Sequence, residues 1–355
     1  MDASAWEAAP SALTRFDLTR AALYANAESL ALGGAGAAYA TGSLGLQLNP
    51  AAAARRRAAA EAPLHVSLTA LRGRIGSGAL PDAPLAGAPD WFDLGVGVAG
   101  GSWGVGVLVS AVTLRGEAET VVGAEAHGAV GVQLADGAVA LGAGPRVLAV
   151  RRADASGVRD YLGVGSELGA VVALPGQPWS LAVAARSGLR APVSAGVQGD
   201  EMVLPPGLRV GVGWANTGAP ADLPVRVVAD LLLDGSTADA LGLQAAIDGE
   251  SEARGAWMTL TPRVGVEVDV WPETFRGRLG SWLEPSRSAR GPPTPHLTGG
   301  VELRLFRVEA PEVDLAWDLA WQVGMDWAPG SFRGAWLGLT VWHDGAVGRP
   351  SDIGA

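Results

Sequence analysis

From residue 64 onward, apolar and polar residues alternate with a period of two. The segment 260–270 is the clearest case. Leu260, Pro262, Val264, Val266, Val268 and Val270 share one face, and Thr261, Arg263, Gly265, Glu267 and Asp269 share the other. Successive side chains of a strand point to opposite faces, so strict alternation predicts a strand with one apolar and one polar side. Val313, Leu315, Trp317, Leu319, Trp321 and Val323 repeat the pattern against Asp314, Asp318 and Gln322. Leu208, Val210, Val212 and Trp214 oppose Arg209, Gly211 and Gly213, and Phe92, Leu94, Val96 and Val98 oppose Asp93, Gly95 and Gly97. Continued along the chain, the pattern predicts about fourteen strands, within the range of membrane barrels. They fall at 64–75, 91–99, 102–115, 121–135, 138–152, 158–174, 178–190, 206–215, 223–234, 256–271, 274–284, 295–308, 312–325 and 333–343. Many exceed the ~5–6 residues usual in soluble sheets and suit the ~9–11 or more of a tilted strand crossing a bilayer.

The connections carry an independent signal. Those after odd-numbered strands tend to be long (76–90, 191–205, 235–255 and 285–294), although 116–120 and 153–157 are short. Those after even-numbered strands are mostly short, as at Gly100-Gly101, Asp136-Gly137 and Pro272-Glu273. Outer-membrane barrels combine short periplasmic turns with longer external loops. Lipid offers no hydrogen bonds, so a spanning sheet must close on itself. The expected fold is therefore all-β: a transmembrane antiparallel β-barrel with its apolar face toward lipid. Trp91, Trp103, Trp179, Trp214, Trp257, Trp271, Trp282, Trp327 and Trp342 lie near predicted strand ends, where interfacial aromatic girdles are expected.

The N-terminal sixty residues read differently. Arg15 to Ala40 is rich in Ala and Leu and ends in Leu32-Gly33-Gly34-Ala35-Gly36-Ala37-Ala38-Tyr39. After Leu48-Asn49-Pro50-Ala51 comes the basic run Arg55-Arg56-Arg57. Short helices and tight turns are expected here, since Pro50 fixes its own backbone and pushes Asn49 away from helical geometry. Three parts follow: a helical N-terminal plug at 1–62, the barrel at 63–343 and a tail at 344–355. Met1 is followed by Asp2 and polar residues, without a basic start and an apolar stretch, so the sequence is expected to be a mature form.

Composition narrows the function classes. The chain has no cysteine, which excludes a disulfide framework and thiolate metal sites. The net charge of −10 disfavours nucleic acid as a partner. No apolar run approaches the ~20 residues of a membrane helix. Trp, at 13, outnumbers Phe (5) and Tyr (3) together, as interfacial anchoring would require.

Leu32-Gly33-Gly34-Ala35-Gly36-Ala37-Ala38-Tyr39-Ala40, followed after a short spacer by Leu48-Asn49-Pro50-Ala51-Ala52, resembles the start of the FadL family. Arg276-Gly277-Arg278-Leu279-Gly280-Ser281-Trp282-Leu283-Glu284-Pro285 resembles a late hairpin of that family. The resemblance implies a 14-stranded outer-membrane barrel, an N-terminal hatch bearing an Asn-Pro-Ala motif (here Asn49, Pro50 and Ala51), and transport of long-chain fatty acids or other hydrophobic compounds. The chain departs from barrels of this class at its end. They usually finish on an aromatic residue, whereas this one continues from His343 to Ala355.

Other motifs carry little chemistry. Gly95-Val96-Gly97-Val98-Ala99-Gly100 matches a dinucleotide fingerprint, but it lies in an alternating strand with no helix after it. His65, His127, His296 and His343 lack metal-ligand spacing on a helix. Val164 breaks the nucleophile elbow around Ser166. No enzyme, metal or cofactor is expected. Arg209, Arg226, Asp230, Arg263, Glu267, Asp269, Arg278, Glu302, Arg304, Asp314 and Asp318 fall on the polar faces of late strands and are expected in the lumen, chiefly as a salt-bridged wall. Arg55-Arg56-Arg57 reads as a solvated linker or one from hatch to wall, in preference to a site for a carboxylate or lipid head group. Apolar Leu80, Leu85 and Leu204 in long connections suggest capture of a ligand at the outer face. The expected function is passive uptake of a hydrophobic small molecule by a monomer that contacts only that ligand and membrane lipid. The alternative is a barrel scaffold in a secretion or motility complex, which would have a filled lumen.

Overall fold

The computed structural model describes residues 14–18, 26–55, 64–72, 90–115, 119–155, 157–194, 200–216, 223–238, 240–243, 247, 253–271, 274–287, 292–310, 315–328 and 331–345. Its elements run β1 (Thr14–Asp17), α1 (Ala27–Ala31), β2 (Leu64–Arg72), β3 (Asp90–Ala99), β4 (Trp103–Arg115), β5 (Thr120–Leu134), β6 (Val139–Asp154), β7 (Gly157–Ala173), β8 (Trp179–Arg186), β9 (Leu189–Pro192), β10 (Asp200–Leu204), β11 (Gly207–Asn216), β12 (Val225–Asp234), β13 (Ala240–Gly242), β14 (Ala253–Arg254), β15 (Thr259–Trp271), β16 (Phe275–Glu284), β17 (Thr294–Ala310), β18 (Leu315–Ala328) and β19 (Ser331–Gly345). Three 3-10 turns, Ala37–Tyr39, Leu44–Gln47 and Pro50–Ala54, follow α1.

Among the described residues, β2 to β8, β11, β12 and β15 to β19 form a closed antiparallel barrel. The ring closes where β19 pairs with β2 and β8 pairs with β11. Its strands coincide with the predicted spans to within a few residues. β19 continues to Gly345, two residues into the predicted tail. The alternation sets the faces. Val264 and Val266 are exposed on the outside, whereas Arg263 and Glu267 are buried within. The outside of the ring is broadly apolar, with Val130 (62% exposed) and Leu168 (61% exposed) in mid-strand. Trp103, Trp179 and Trp271 are exposed at the rim of the short turns, and Trp257 and Trp327 at the opposite rim. Trp282 departs from the predicted girdle. It is buried on the inner face, stacked on His296 at 3.9 Å, because residue 282 shares the inward parity of Arg278 and Gly280. The side chains of Trp91 and Trp342 lie outside the described residues.

A second, five-stranded sheet has the order β14-β13-β1-β10-β9. It corrects two expectations. The N-terminal part contributes a strand, β1, which pairs in parallel with both β10 and β13. Among the described residues of the connection 191–205, the apolar side chains of β10 are not displayed, because they are buried and Leu204 is only 4% exposed. Phe16, Leu189, Ala191, Met202 and Leu204 pack against Leu114, Val121, Leu148, Val150 and Tyr161 of the barrel wall. Phe16 and Ala191 register with Met202, and Leu189 with Leu204, so these side chains share one face of the small sheet, and the wall covers that face. Leu80, Leu85 and the predicted tail beyond Gly345 lie outside the described residues.

Candidate functional site: the inner segment and the lumen wall

Residues 26–55 cross the inside of the ring, and each turn has a local cause. Asn26 caps α1, accepting from Ser29 N at 2.9 Å while donating to Leu44 O at 2.7 Å. The helix stops where Gly33 and Gly34 take positive φ of 70° and 73°, a region that disfavours other residues. Gly34 N then bonds back to Ser29 O at 2.6 Å. At the Asn-Pro-Ala motif, Asn49 accepts from Ala51 N at 2.9 Å, and Pro50 occupies the first turn position, where a missing N–H is harmless. The Asn49 amide also donates to the wall, to Ala170 O at 3.0 Å and Val183 O at 3.2 Å. The motif therefore both starts a turn and ties it to β7 and β8. Wall glycines give the segment room. A methyl group at Gly265 would lie 2.6 Å from Leu32 Cβ, and one at Gly142 would collide with Pro50.

The two sides of this packing differ in chemistry. On the β11–β17 side it is largely ionic, with a small apolar contact of Leu32 and Ala35 on Val228. Asp230 accepts from Gly36 N and Ala37 N, each at 3.1 Å, and from Arg209 at 3.3 Å. Arg209 and Arg263 donate to Gly34 O at 3.2 and 3.3 Å. Thr298 bonds Gly33 N at 2.9 Å, and Arg278 lies 3.5 Å from Glu28. On the β4–β8 side the packing is apolar. Leu44, Leu46, Leu48 and Ala51–Ala53 pack against Leu108, Ala129, Ala140, Val171 and Ala182. The polar contacts there are mostly neutral amides: Gln47 to Ser110 at 2.5 Å, Gln133 to Ala54 O at 2.5 Å, and Asn49. Two charged groups meet the segment at Gln47: Arg186 donates to Gln47 O, and the buried Asp93 accepts from the Gln47 amide at 3.4 Å.

The predicted lumen residues are largely brought together. Arg278 donates to Glu267 and Glu302, each at 2.6 Å, and Gln322 donates to Glu302 at 2.8 Å. Arg276 pairs with Asp269, and Arg226 lies 3.0 Å from Glu267. Such pairing is what buried charges require. Arg304 lies in β17, partly buried beside the register shift at 304–306. Asp318 sits in β18 opposite Arg307, and Asp314 lies outside the described residues. Of the basic run, Arg56 and Arg57 also lie outside them. Arg55 does not serve as a solvated linker. It is held inside, donating to Ala38 O at 2.8 Å and Ala40 O at 3.1 Å. Burial, with the Arg226 charge second, pushes its guanidinium down to about 10. It stays protonated at neutral pH.

Sequence reasoning missed the histidines' surroundings. His127 lies between Glu167 (3.2 Å) and Glu125 (3.5 Å), and Arg146 pairs with Glu125 at 2.5 Å. His296 lies between Asp326 (3.0 Å) and Glu284 (3.2 Å). Only Glu125, two residues from His127 on the same face, was discoverable locally; the other partners come from neighbouring strands. Among the described residues, no group of three potential ligands could hold a metal.

Two features of the wall stand out near His127. The β5–β6 ladder runs to His127↔Arg146 and resumes at Val130↔Ala143, skipping Gly128, Ala129, Gly144 and Pro145. Pro145 has no N–H to donate. Outside the wall, a hollow of about 490 Å³ is lined by residues such as Val130, Leu141, Ala143, Leu168, Ala170 and Val183. Inside, between the inner segment and Arg226 and Val228, the hollow is only about 30 Å³.

No protein-family model matches the sequence, and no curated relative does. Solved structures match over nearly the whole chain. The CymD monoaromatic hydrocarbon channel is 13% identical over 92% of this chain and 99% of that one, with a TM-score of 0.57. The Pseudomonas putida toluene transporter TodX is 12% identical over 94% and 100%, with a TM-score of 0.53. A second TodX structure is 14% identical over 91% and 99%, at 0.55. The chain has the FadL-type fold. At such identities the likeness concerns architecture, and the resemblance read from Asn49-Pro50-Ala51 is matched at that level.

Proposed function

We propose that this protein is a bacterial outer-membrane barrel that admits hydrophobic small molecules by passive diffusion, with residues 26–55 as its hatch. The observation that carries the reading is the apolar seam between the hatch and β4–β8, across the lumen from the charged β11–β17 side. A continuous apolar contact gives a hydrophobic molecule an environment that a charged wall denies it. The apolar outer belt and the exposed tryptophans at both rims suit a bilayer. The similarity to CymD and TodX supports the class of cargo, which for those two proteins is monoaromatic hydrocarbons and toluene. Long-chain fatty acids are the other candidate ligand. The skipped pairs between β5 and β6 interrupt the wall beside the outer hollow and are the proposed exit. No energy source or cofactor is needed.

One observation favours the scaffold reading. Among the described residues, the outer end of the lumen is occupied by the protein's own Phe16, Met202 and Leu204. Equilibrium binding of toluene, ethylbenzene and propylbenzene, alongside fatty acids of increasing length, separates the two. Each buried CH₂ contributes about 0.8 kcal/mol, so affinity should climb along either series until the site is full. Affinity that is unsaturable, or indifferent to length in both series, would favour the scaffold.

A further inference from the structure

We propose that the hatch works as two halves: residues 27–37 are a fixed anchor, and an apolar permeant passes between residues 43–54 and the inner face of β3–β8. This rests on the transport reading and specifies the route within it. The two halves are held by different forces. The anchor's backbone is gripped by the Asp230 carboxylate and the Arg209 and Arg263 guanidiniums, all buried. Hydrogen bonds to charged groups contribute about twice as much as neutral ones, and here they act where little water competes. The second half is held mainly by apolar contact and neutral amides, with charged groups, Arg186 and Asp93, reaching it at Gln47. When that contact opens, a hydrophobic molecule can replace it atom for atom, so the seam's opening cost falls as the permeant enters. No such replacement exists at the ionic side. An apolar molecule there would strand the carboxylate and guanidiniums without partners, a large penalty. The seam is therefore the side a hydrophobic permeant can use and an ion cannot.

The absence of native cysteine allows a direct test. A methyl group at Gly97 would lie 3.6 Å from Ser43 Cβ, and one at Gly338 would lie 3.0 Å from Ala27 Cβ. Disulfides need Cβ atoms about 3.5–4.5 Å apart, so both pairs are within reach after small adjustment. Ser43→Cys/Gly97→Cys tethers the moving half, and Ala27→Cys/Gly338→Cys tethers the anchor. In vesicles, oxidation of the first pair should cut toluene entry at least tenfold, with recovery on reduction. Oxidation of the second pair should leave entry within twofold. Blockage by both tethers, by neither, or by the anchor tether alone would overturn the proposal. Amide hydrogen exchange of the unmodified protein supplies a readout independent of transport. Residues 43–54 should exchange at least tenfold faster than residues 27–37. Equal or reversed rates would overturn the two-half hatch. Unequal rates with no toluene entry into vesicles, even for the reduced variants, would instead refute the transport reading.

Discussion

Removal of the Asp230 carboxylate should free the hatch from its anchor. In the docked state this group takes two backbone donors, Gly36 N and Ala37 N, at 3.1 Å each, and is almost fully buried. Each hydrogen bond to a charged group contributes about 1.5–3 kcal/mol. Two such bonds give roughly 3–6 kcal/mol, and the lower end applies because freed donors regain water when the hatch undocks. The pairing of Asp230 with Arg209 survives undocking, so it largely cancels. For Asp230→Ala, about 3 kcal/mol corresponds to roughly a hundredfold rise in the undocked population. Asp230→Asn keeps an acceptor oxygen at neutral strength and should produce a smaller rise, roughly tenfold. The assay is single-channel recording in planar bilayers, scored as the fraction of time in a large-conductance state. Unchanged strand content by circular dichroism would establish that the barrel is intact. Wild-type open fractions in Asp230→Ala, or equal effects of Ala and Asn, would refute the reasoning.

Three further outcomes are expected. Val266→Arg should reduce stability in lipid vesicles by about 2–4 kcal/mol, since the site faces outward near mid-strand, whereas Val266→Leu should be nearly neutral; equal behaviour in a denaturant titration would contradict the assigned faces. Gly142→Val should destabilise hatch packing, because its side chain would collide with Pro50, and amide exchange at residues 50–54 should accelerate. Asp17→Ala removes the partner of Arg287 (3.0 Å) and Thr237 (2.7 Å) and should loosen the small sheet, which limited trypsinolysis after Arg254 would report as faster cleavage.

The barrel was legible because its determinant is local. A period of two is written in each strand, and Val264, Val266, Arg263 and Glu267 face the way alternation dictates. The turn at Asn49 and Pro50 was legible because its cap closes within three residues. What stayed hidden was non-local. Nothing near Phe16 announces that it will pair between two distant connections, and nothing near Leu204 announces that it will be covered. The lumen network was half legible. The inward face of each charge followed from its parity, but its partner depended on register between strands that only the closed ring sets. His296 illustrates the limit, since Glu284 and Asp326 reach it from β16 and β18.

The central claim, passive entry of hydrophobic molecules, is tested most directly by reconstituting the unmodified protein in sealed vesicles. The measurement is initial toluene entry without ion gradient or nucleotide, compared with entry of a small sugar. The account predicts saturable toluene entry well above that of protein-free vesicles, with sugar entry unchanged. Toluene entry equal to that of protein-free vesicles, or sugar entering as readily as toluene, would contradict it.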